Sequence, residues 1–217
     1  MSETQLSYDQ PEQVEKILLK AGEMFLTIGI RAVTLDDIAR ELGMSKKTIY
    51  TFFENKGQLV YRIVQEDLQR RQSFVLGITE QGHDPINEML LIAREVMLSL
   101  QTFSVNIVSD LQKFYPESWQ LIEQHKQGFV YNIMLNNHQR GKEEGLYREN
   151  IQEDIITRMF IGFTDSILNP QGLLKTGIPI AQLYLEHLIY HLYSICSEKG
   201  RQHLEQLLQS LQLTIQP

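Results

Sequence analysis

An all-α fold is the class this sequence predicts, and three observations predict it. Apolar residues recur at spacings of three and four through most of the chain, and no stretch alternates apolar with polar residues. The segment TLDDIARELGMSKKTIYTFF, Thr34 to Phe53, carries the pattern of two short helices crossing at a tight turn. The expected architecture is an N-terminal three-helix helix-turn-helix domain, residues 1–56 including a short polar tail, followed by a larger helical bundle, residues 57–217.

The first helix is expected from Pro11 to Ile30, with Val14, Ile17, Leu18, Ala21, Phe25 and Ile28 on one face. In the crossing pair, Ala39, Gly43 and Ile49 stand at offsets zero, four and ten. A small residue lets the second helix approach the first, glycine supplies the positive φ of the turn, and a β-branched residue locks the far side. Ile38, Leu42, Met44 and Phe52 complete the inward face, leaving Lys46, Lys47, Thr48 and Thr51 outward. Thr34 is a good N-cap with Asp37 three residues on, a near capping box, and Ser45 can cap the second helix. Asp36 and Asp37 suit the positive end of the first helix dipole. Asn55 can cap a fourth helix that starts at Lys56, carries Leu59, Val60, Ile63, Val64 and Leu68, and runs to about Ile78.

Gly82-His83-Asp84-Pro85 is a break with its own cap, and a helical pattern resumes from Ile86 to Leu100. Residues 104–114 form a short helix, and Pro116 opens a long one ending near Gly141 or Gly145. The apolar run Ile151 to Leu168 ends at the stop signal Asn169-Pro170-Gln171-Gly172. Pro179 starts a helix to about Cys196, Gly200 breaks it, and Leu204, Leu207, Leu208 and Leu211 mark a final amphipathic helix.

Composition bounds the function. A hydrophobic content of 42% over 217 residues is globular, and the apolar runs are too short to span a bilayer. The start MSETQLSYDQ has no basic region, so no signal peptide is expected, and the single Cys196 fits a reducing cytoplasm. Net charge is −7, but residues through Arg71 hold 10 Lys and Arg against 11 Asp and Glu, so the acidity lies mainly beyond them. If the helix-turn-helix pattern meets DNA, as such patterns do, contact must rest on local placement of Lys46, Lys47, Lys56 and helix N-termini, not on a broad positive field.

Residues 14–60 resemble the DNA-binding domain of the TetR/AcrR family of transcriptional regulators. The resemblance rests on Ile17, Ala21, Phe25 and Gly29, on Thr34, on DIARELGMSKKTIYTFF at 37–53, and on Asn55-Lys56 with Leu59. It implies that Thr34, Tyr50 and Lys56 hold phosphates; physically, a lysine brings charge, a tyrosine hydroxyl donates, and a helix N-terminus presents free N–H groups. The Tyr50 ring can instead pack on the first helix, and Lys56 can be an ordinary solvated lysine. Base reading falls to Lys46, Lys47, Thr48 and Thr51, while Ser45 caps the helix and can also meet a phosphate. The function implied is a sequence-specific regulator, a homodimeric repressor on a double-stranded operator, released by a small-molecule effector, with no membrane partner and no cofactor.

One such motif reads too few base pairs to discriminate in a genome, which asks for a two-fold dimer. Residues 179–196 and 155–168 are apolar around the whole cylinder and need two burial partners each. The resemblance implies that these two helices pair with their copies. The candidate contacts are Phe160, Gly162, Phe163, Ile167, Leu183, Tyr184, His187, Tyr190 and His191. It also implies an effector pocket in the larger domain, for which Phe103, Tyr115, Trp119, Phe129, Tyr131, Met134, Phe160 and Phe163 are wall material and Asn132, Arg158 and Asp165 polar anchors.

Two other classes compete. One is a helical adaptor that no longer binds DNA. The other is a metal-dependent enzyme using His187 and His191, whose spacing can hold a metal from one helix face. The run His-Leu-Ile-Tyr-His lacks the acidic residue of a metalloprotease helix, and no phosphate loop, nucleophile elbow or paired carboxylate signature is present. No catalytic residue or metal ligand set is therefore expected.

Overall fold

The computed structural model describes residues 3–101, 105–168 and 177–210. Their order is α1 Glu3–Ile28, α2 Leu35–Glu41, α3 Lys46–Phe52, α4 Lys56–Thr79, α5 Pro85–Gln101 and α6 Val105–Phe114. There follow α7 Pro116–His125, a π-helical turn Lys126–Val130, α8 Tyr131–Glu143, α9 Glu153–Leu168, α10 Ile180–Ile195 and α11 Glu198–Ser210. The all-α expectation holds, and among the described residues the β-type pairing is an isolated bridge between Tyr147 and Cys196. The expected stop at 169–172 and Leu211 of the last helix lie outside the described residues.

The helices form two compact units. One comprises α1 to α3, α4 up to Gln69, α6, and α7 up to Ile122; the other holds the rest of α4 and α7 with α5 and α8 to α11. Packing therefore does not follow a cut after residue 56, because α6 and the start of α7 return to the N-terminal helices.

In the first unit, Ile17, Ala21 and Phe25 of α1 repeat at every fourth position and bury against Ile38, Ala39, Ile49, Leu59 and Leu111. Each large aliphatic side chain so buried contributes about 1.5–3 kcal/mol. Two details of α1 differ from expectation. Its helix extends back beyond Pro11, which forgoes one helical hydrogen bond without ending the helix. Ile28, expected on the core face, is exposed; Gly29 at φ +101° turns the chain away there, and Ile30 takes the buried place.

In the second unit α10 packs on α5 and α9, and α8 packs on α9. Asp84 caps α5, its Oδ1 accepting the N–H groups of Ile86 and Asn87 at 3.1 Å. Ile86, Leu90, Leu188, Ile189, Leu192, Ile195 and Leu204 are fully buried here. A polar knot crosses this core: Glu88 accepts from Arg140 and from Asn137, each at 2.8 Å, and Tyr147 Oη donates to Asn137 Oδ1 at 3.0 Å. Satisfied in this way, buried polar groups specify one packing arrangement instead of penalising it.

The helix from Pro116 is interrupted where a continuous one was expected, since the π turn adds a residue at Lys126–Val130. Gly200 does not break a helix. It lies buried inside α11, and the chain turns earlier, at Cys196-Ser197, where Ser197 N–H donates to Leu146 O at 2.9 Å and Ser197 Oγ accepts from Gly200 N–H.

Candidate nucleic-acid interface

The N-terminal end of α2 is closed by the expected capping box: Thr34 Oγ1 accepts the Asp37 N–H at 3.1 Å, and Asp37 Oδ2 accepts the Thr34 N–H at 2.9 Å. The Thr34 bonds, chiefly its hydroxyl, hold the Asp37 carboxyl below its ordinary pKa. At the other end Gly43, at φ +62°, donates to Arg40 O and Met44 donates to Ala39 O, the paired bonds of a Schellman turn. Only that left-handed glycine lets the chain leave α2 so steeply, and it delivers Ser45 as the cap of α3. Ala39 and Ile49 are buried at the crossing, as their spacing predicts.

The outward face of α3 follows from this inward one. Ser45, Lys46, Lys47, Tyr50 and Thr51 are exposed and Thr48 is half-buried. Tyr50 is 50% exposed, which decides between its two readings: the ring is not spent on packing against α1. Several hydroxyls are already engaged. Ser45 Oγ and Thr48 Oγ1 share a hydrogen bond at 2.8 Å, and Thr51 Oγ1 donates to Lys47 O at 2.8 Å. Thr51 thus offers a nucleic acid its methyl group and oxygen lone pairs but not its proton.

Lys56 opens α4 beside the Asn55 cap, whose Oδ1 accepts the Gln58 N–H at 2.9 Å. Its ammonium donates to Arg31 O at 3.3 Å, and partial burial lowers its pKa. It is therefore placed by the α1–α2 connection, not freely solvated. The Arg31 guanidinium lies 4.6 Å from the Phe114 ring centroid.

The ligand-pocket candidates divide between the two units. Phe103 lies outside the described residues. Trp119 and Tyr115 pack on the core of the first unit, so they are not walls of the larger bundle. Tyr115 also lines an open crevice of about 510 Å³ with Glu54, Tyr61 and Phe114. In the second unit Met134 and Phe160 are buried, Phe129 and Tyr131 half-buried, and Phe163 exposed. The proposed anchors have other roles or face outward: Arg158 pairs with Asp154 at 3.0 Å, Asp165 pairs with Lys126 at 2.9 Å, and Asn132 is exposed. Tyr131 Oη also donates to Asp154.

Of the dimer candidates, Phe160, Ile167 and Tyr184 are buried inside the protomer, while Gly162, Phe163 and Tyr190 are exposed. Leu183, His187 and His191 are intermediate. Ile155 and Met159, absent from that set, join Phe163 on the outward face of α9, spaced by four residues. An all-round apolar helix hides which side faces out, so the pattern alone could not separate them. His187 and His191 do not converge on a common point: His187 Nε2 faces Phe160 O at 3.2 Å, and His191 Nε2 faces His138 Nε2 at 3.0 Å. Among the described residues no three His, Cys, Asp or Glu side chains gather to hold a metal, and no helix is long and apolar enough to cross a membrane.

Comparison with known proteins bears on the motif and on the fold separately. Residues 17–63 match the family model of bacterial regulatory proteins, tetR family. The uncharacterized HTH-type transcriptional regulator YvaF of Bacillus subtilis is 25% identical over 147 residues, 65% of this chain and 74% of that protein. A transcriptional regulator from Cytophaga hutchinsonii superposes with a TM-score of 0.69 at 16% identity, covering 85% of this chain and 99% of that one. A protein from Saccharomonospora viridis, assigned as a transcriptional regulator and solved in complex with choline, superposes with a TM-score of 0.65 at 18% identity over 87% of this chain and all 100% of the other. With the capped helix pair, the glycine turn and the exposed α3 face already in place, these likenesses identify residues 17–63 as a DNA-binding motif like that of the tetR family of bacterial regulatory proteins, carried on a fold shared with solved transcriptional regulators.

Proposed function

We propose that the protein is a homodimeric repressor in the cytoplasm that docks α3 in the major groove of an operator and is released by a small-molecule effector. Lys46, Lys47, Thr48 and Thr51 read base edges, while Thr34, Ser45, Tyr50 and Lys56 contact phosphates. The DNA-contacting part falls within residues 1–56, and 57–217 supply regulation and pairing. The observation that carries the reading is the outward face of α3, where two lysines and a half-exposed tyrosine stand on a helix whose inner face is buried. A bare helical hairpin has no use for that face. Lysine donates to the O6 and N7 acceptors of guanine, and the Thr51 methyl suits a thymine methyl. The effector is supported by the choline complex of the S. viridis protein, which shares the fold.

The test is titration of duplexes, drawn from the DNA upstream of its own gene and from genomic selection, at several salt concentrations. Lys47→Ala should weaken binding and flatten preference among duplexes, by about 1–3 kcal/mol for a lost base contact. Lys56→Ala should weaken all sequences alike and reduce the salt slope by about one. Indifference of the purified protein to every duplex would overturn the reading.

A further inference from the structure

In the sequence Asp36 is a favourable charge on the first turn of α2. The structure gives it a partner. Lys46, ten residues away at the first position of α3, donates to Asp36 Oδ2 at 2.5 Å. The crossing angle that buries Ala39 and Ile49 also brings these two side chains together on the outer side of the helix pair. Both remain in solvent, with side-chain exposures of 70% for Lys46 and 41% for Asp36.

The other charges of this helix pair divide cleanly. Asp37 is committed to the Thr34 cap and to Arg40, which it meets at 2.5 Å. Among the described residues the Lys47 ammonium has no carboxylate partner. Four of the six charged side chains of α2 and α3 therefore neutralise one another in two pairs, Glu41 interacts with Lys20 of α1, and Lys47 on the outer face of α3 is the lysine left over. This matters in a segment that is not basic overall, with 10 Lys and Arg against 11 Asp and Glu through Arg71. Non-specific affinity scales with the number of cations free to replace counterions on phosphates, and a lysine held by a carboxylate does not count fully.

We propose that Asp36 is a specificity-determining residue of the DNA-binding face: it holds Lys46, withholds that cation from indiscriminate phosphate contact until a base edge draws it off, and leaves Lys47 as the α3 lysine that needs no such release. The inference rests on α3 lying against the duplex, as set out under the proposed function. On a non-cognate duplex α3 has no fixed register, so a freed Lys46 finds a phosphate wherever the protein lands. On the cognate duplex base contacts fix the register, and the same freed lysine gains less. An Asp36 carboxylate without its lysine also repels the backbone of any sequence. Removing Asp36 therefore strengthens the wrong complexes more than the right one.

The experiment uses the full chain, a duplex of random sequence, and the best duplex that the wild-type protein selects from a random library. Asp36→Asn should tighten binding to the random duplex about fivefold at low salt, the scale of one unit charge at contact distance in water. It should also steepen the salt slope by about one and shrink the ratio of selected to random affinity. Lys46→Gln should weaken binding to the random duplex and flatten its slope, because it leaves the Asp36 carboxylate unpaired against the phosphates. The double variant should return to the wild-type slope and ratio, since it removes both charges of the pair together. Circular dichroism confirms folding, and Asp36→Ser repeats the test with a different replacement. The proposal is overturned if Asp36→Asn keeps the wild-type slope and ratio, or if the double variant retains the gain of Asp36→Asn. A wild-type protein that selects no sequence sinks the reading of α3 itself; one that selects normally while Asp36→Asn matches it sinks only the role of Asp36.

Discussion

His138 of α8 and His191 of α10 face each other nitrogen to nitrogen, Nε2 to Nε2 at 3.0 Å. One hydrogen fits between them, so one imidazole donates and the other must accept. The second nitrogen of His138 is engaged as well, with Thr157 Oγ1 at 2.8 Å. Burial pushes His138 down to about 4 and His191 down to about 3, the latter helped by the neighbouring charges of His138 and His187. Unfolded, both titrate near the ordinary value of 6.5. Between that value and the depressed ones the unfolded chain binds protons that the native chain refuses, so stability falls as pH falls. The slope should approach about 1.4 kcal/mol per pH unit for each histidine and flatten once the native imidazoles themselves protonate. Urea midpoints measured from pH 7 down to pH 4 should decline accordingly, and His138→Gln, which keeps hydrogen-bonding atoms but does not titrate, should make the decline shallower. A flat profile in the wild type would contradict the pairing.

Three glycines separate by what surrounds them. A Cβ at Gly200 would lie 1.9 Å from Leu146 O, a backbone atom that also accepts the Ser197 N–H. A Cβ at Gly141 would lie 2.1 Å from the ring of Tyr147, which is buried and tied to Asn137. Neither neighbour can retreat cheaply. Gly200→Ala and Gly141→Ala should each lower stability by about 1–3 kcal/mol or more, the range for overpacking a tight core. Gly162 on α9 has nothing within 4 Å of the same position. Gly162→Ala should therefore raise protomer stability slightly, by up to about 1 kcal/mol of helix propensity. Thermal unfolding of the three variants side by side checks the ordering, and a destabilised Gly162→Ala protomer would show that this face is crowded.

Legibility in the sequence tracked the range of the interactions involved. Thr34, Asp37, Gly43 and Ser45 are joined by contacts a few residues long, so residue type and spacing were enough to place caps, turn and outward face. Where the chain returns on itself the signal vanished. Trp119 and Tyr115 look like material for a pocket in the larger bundle until α6 and α7 carry them back onto the first core. His138 and His191 are 53 positions apart, and nothing in either neighbourhood announces the other. Gly200 carries the mark of a helix breaker, yet its missing side chain serves close approach to Leu146 inside a helix. The Asp36–Lys46 pair lies between these cases, local in sequence but set by a crossing angle that composition does not specify.

Ile155, Met159 and Phe163 are 49%, 64% and 45% exposed, and their four-residue spacing makes them one stripe along α9. On α10, Tyr190 is 69% exposed. Each helix therefore keeps apolar area in water after filling its own core, and such area in a folded regulator marks a contact surface. A self-complementary patch on a two-fold axis needs only one kind of surface, which suits a protein expected to present two copies of α3 to one operator. Met159→Glu combined with Phe163→Glu would bring charges of one sign face to face across such an axis. Because both side chains are exposed in the protomer, its own helicity should be unchanged, while light scattering should report half the wild-type mass. Operator affinity should fall steeply with it, since one α3 alone reads a half-site. A double variant that keeps the wild-type mass would remove this stripe from the pairing surface, and one that becomes monomeric yet binds the operator at full strength would remove the need for pairing.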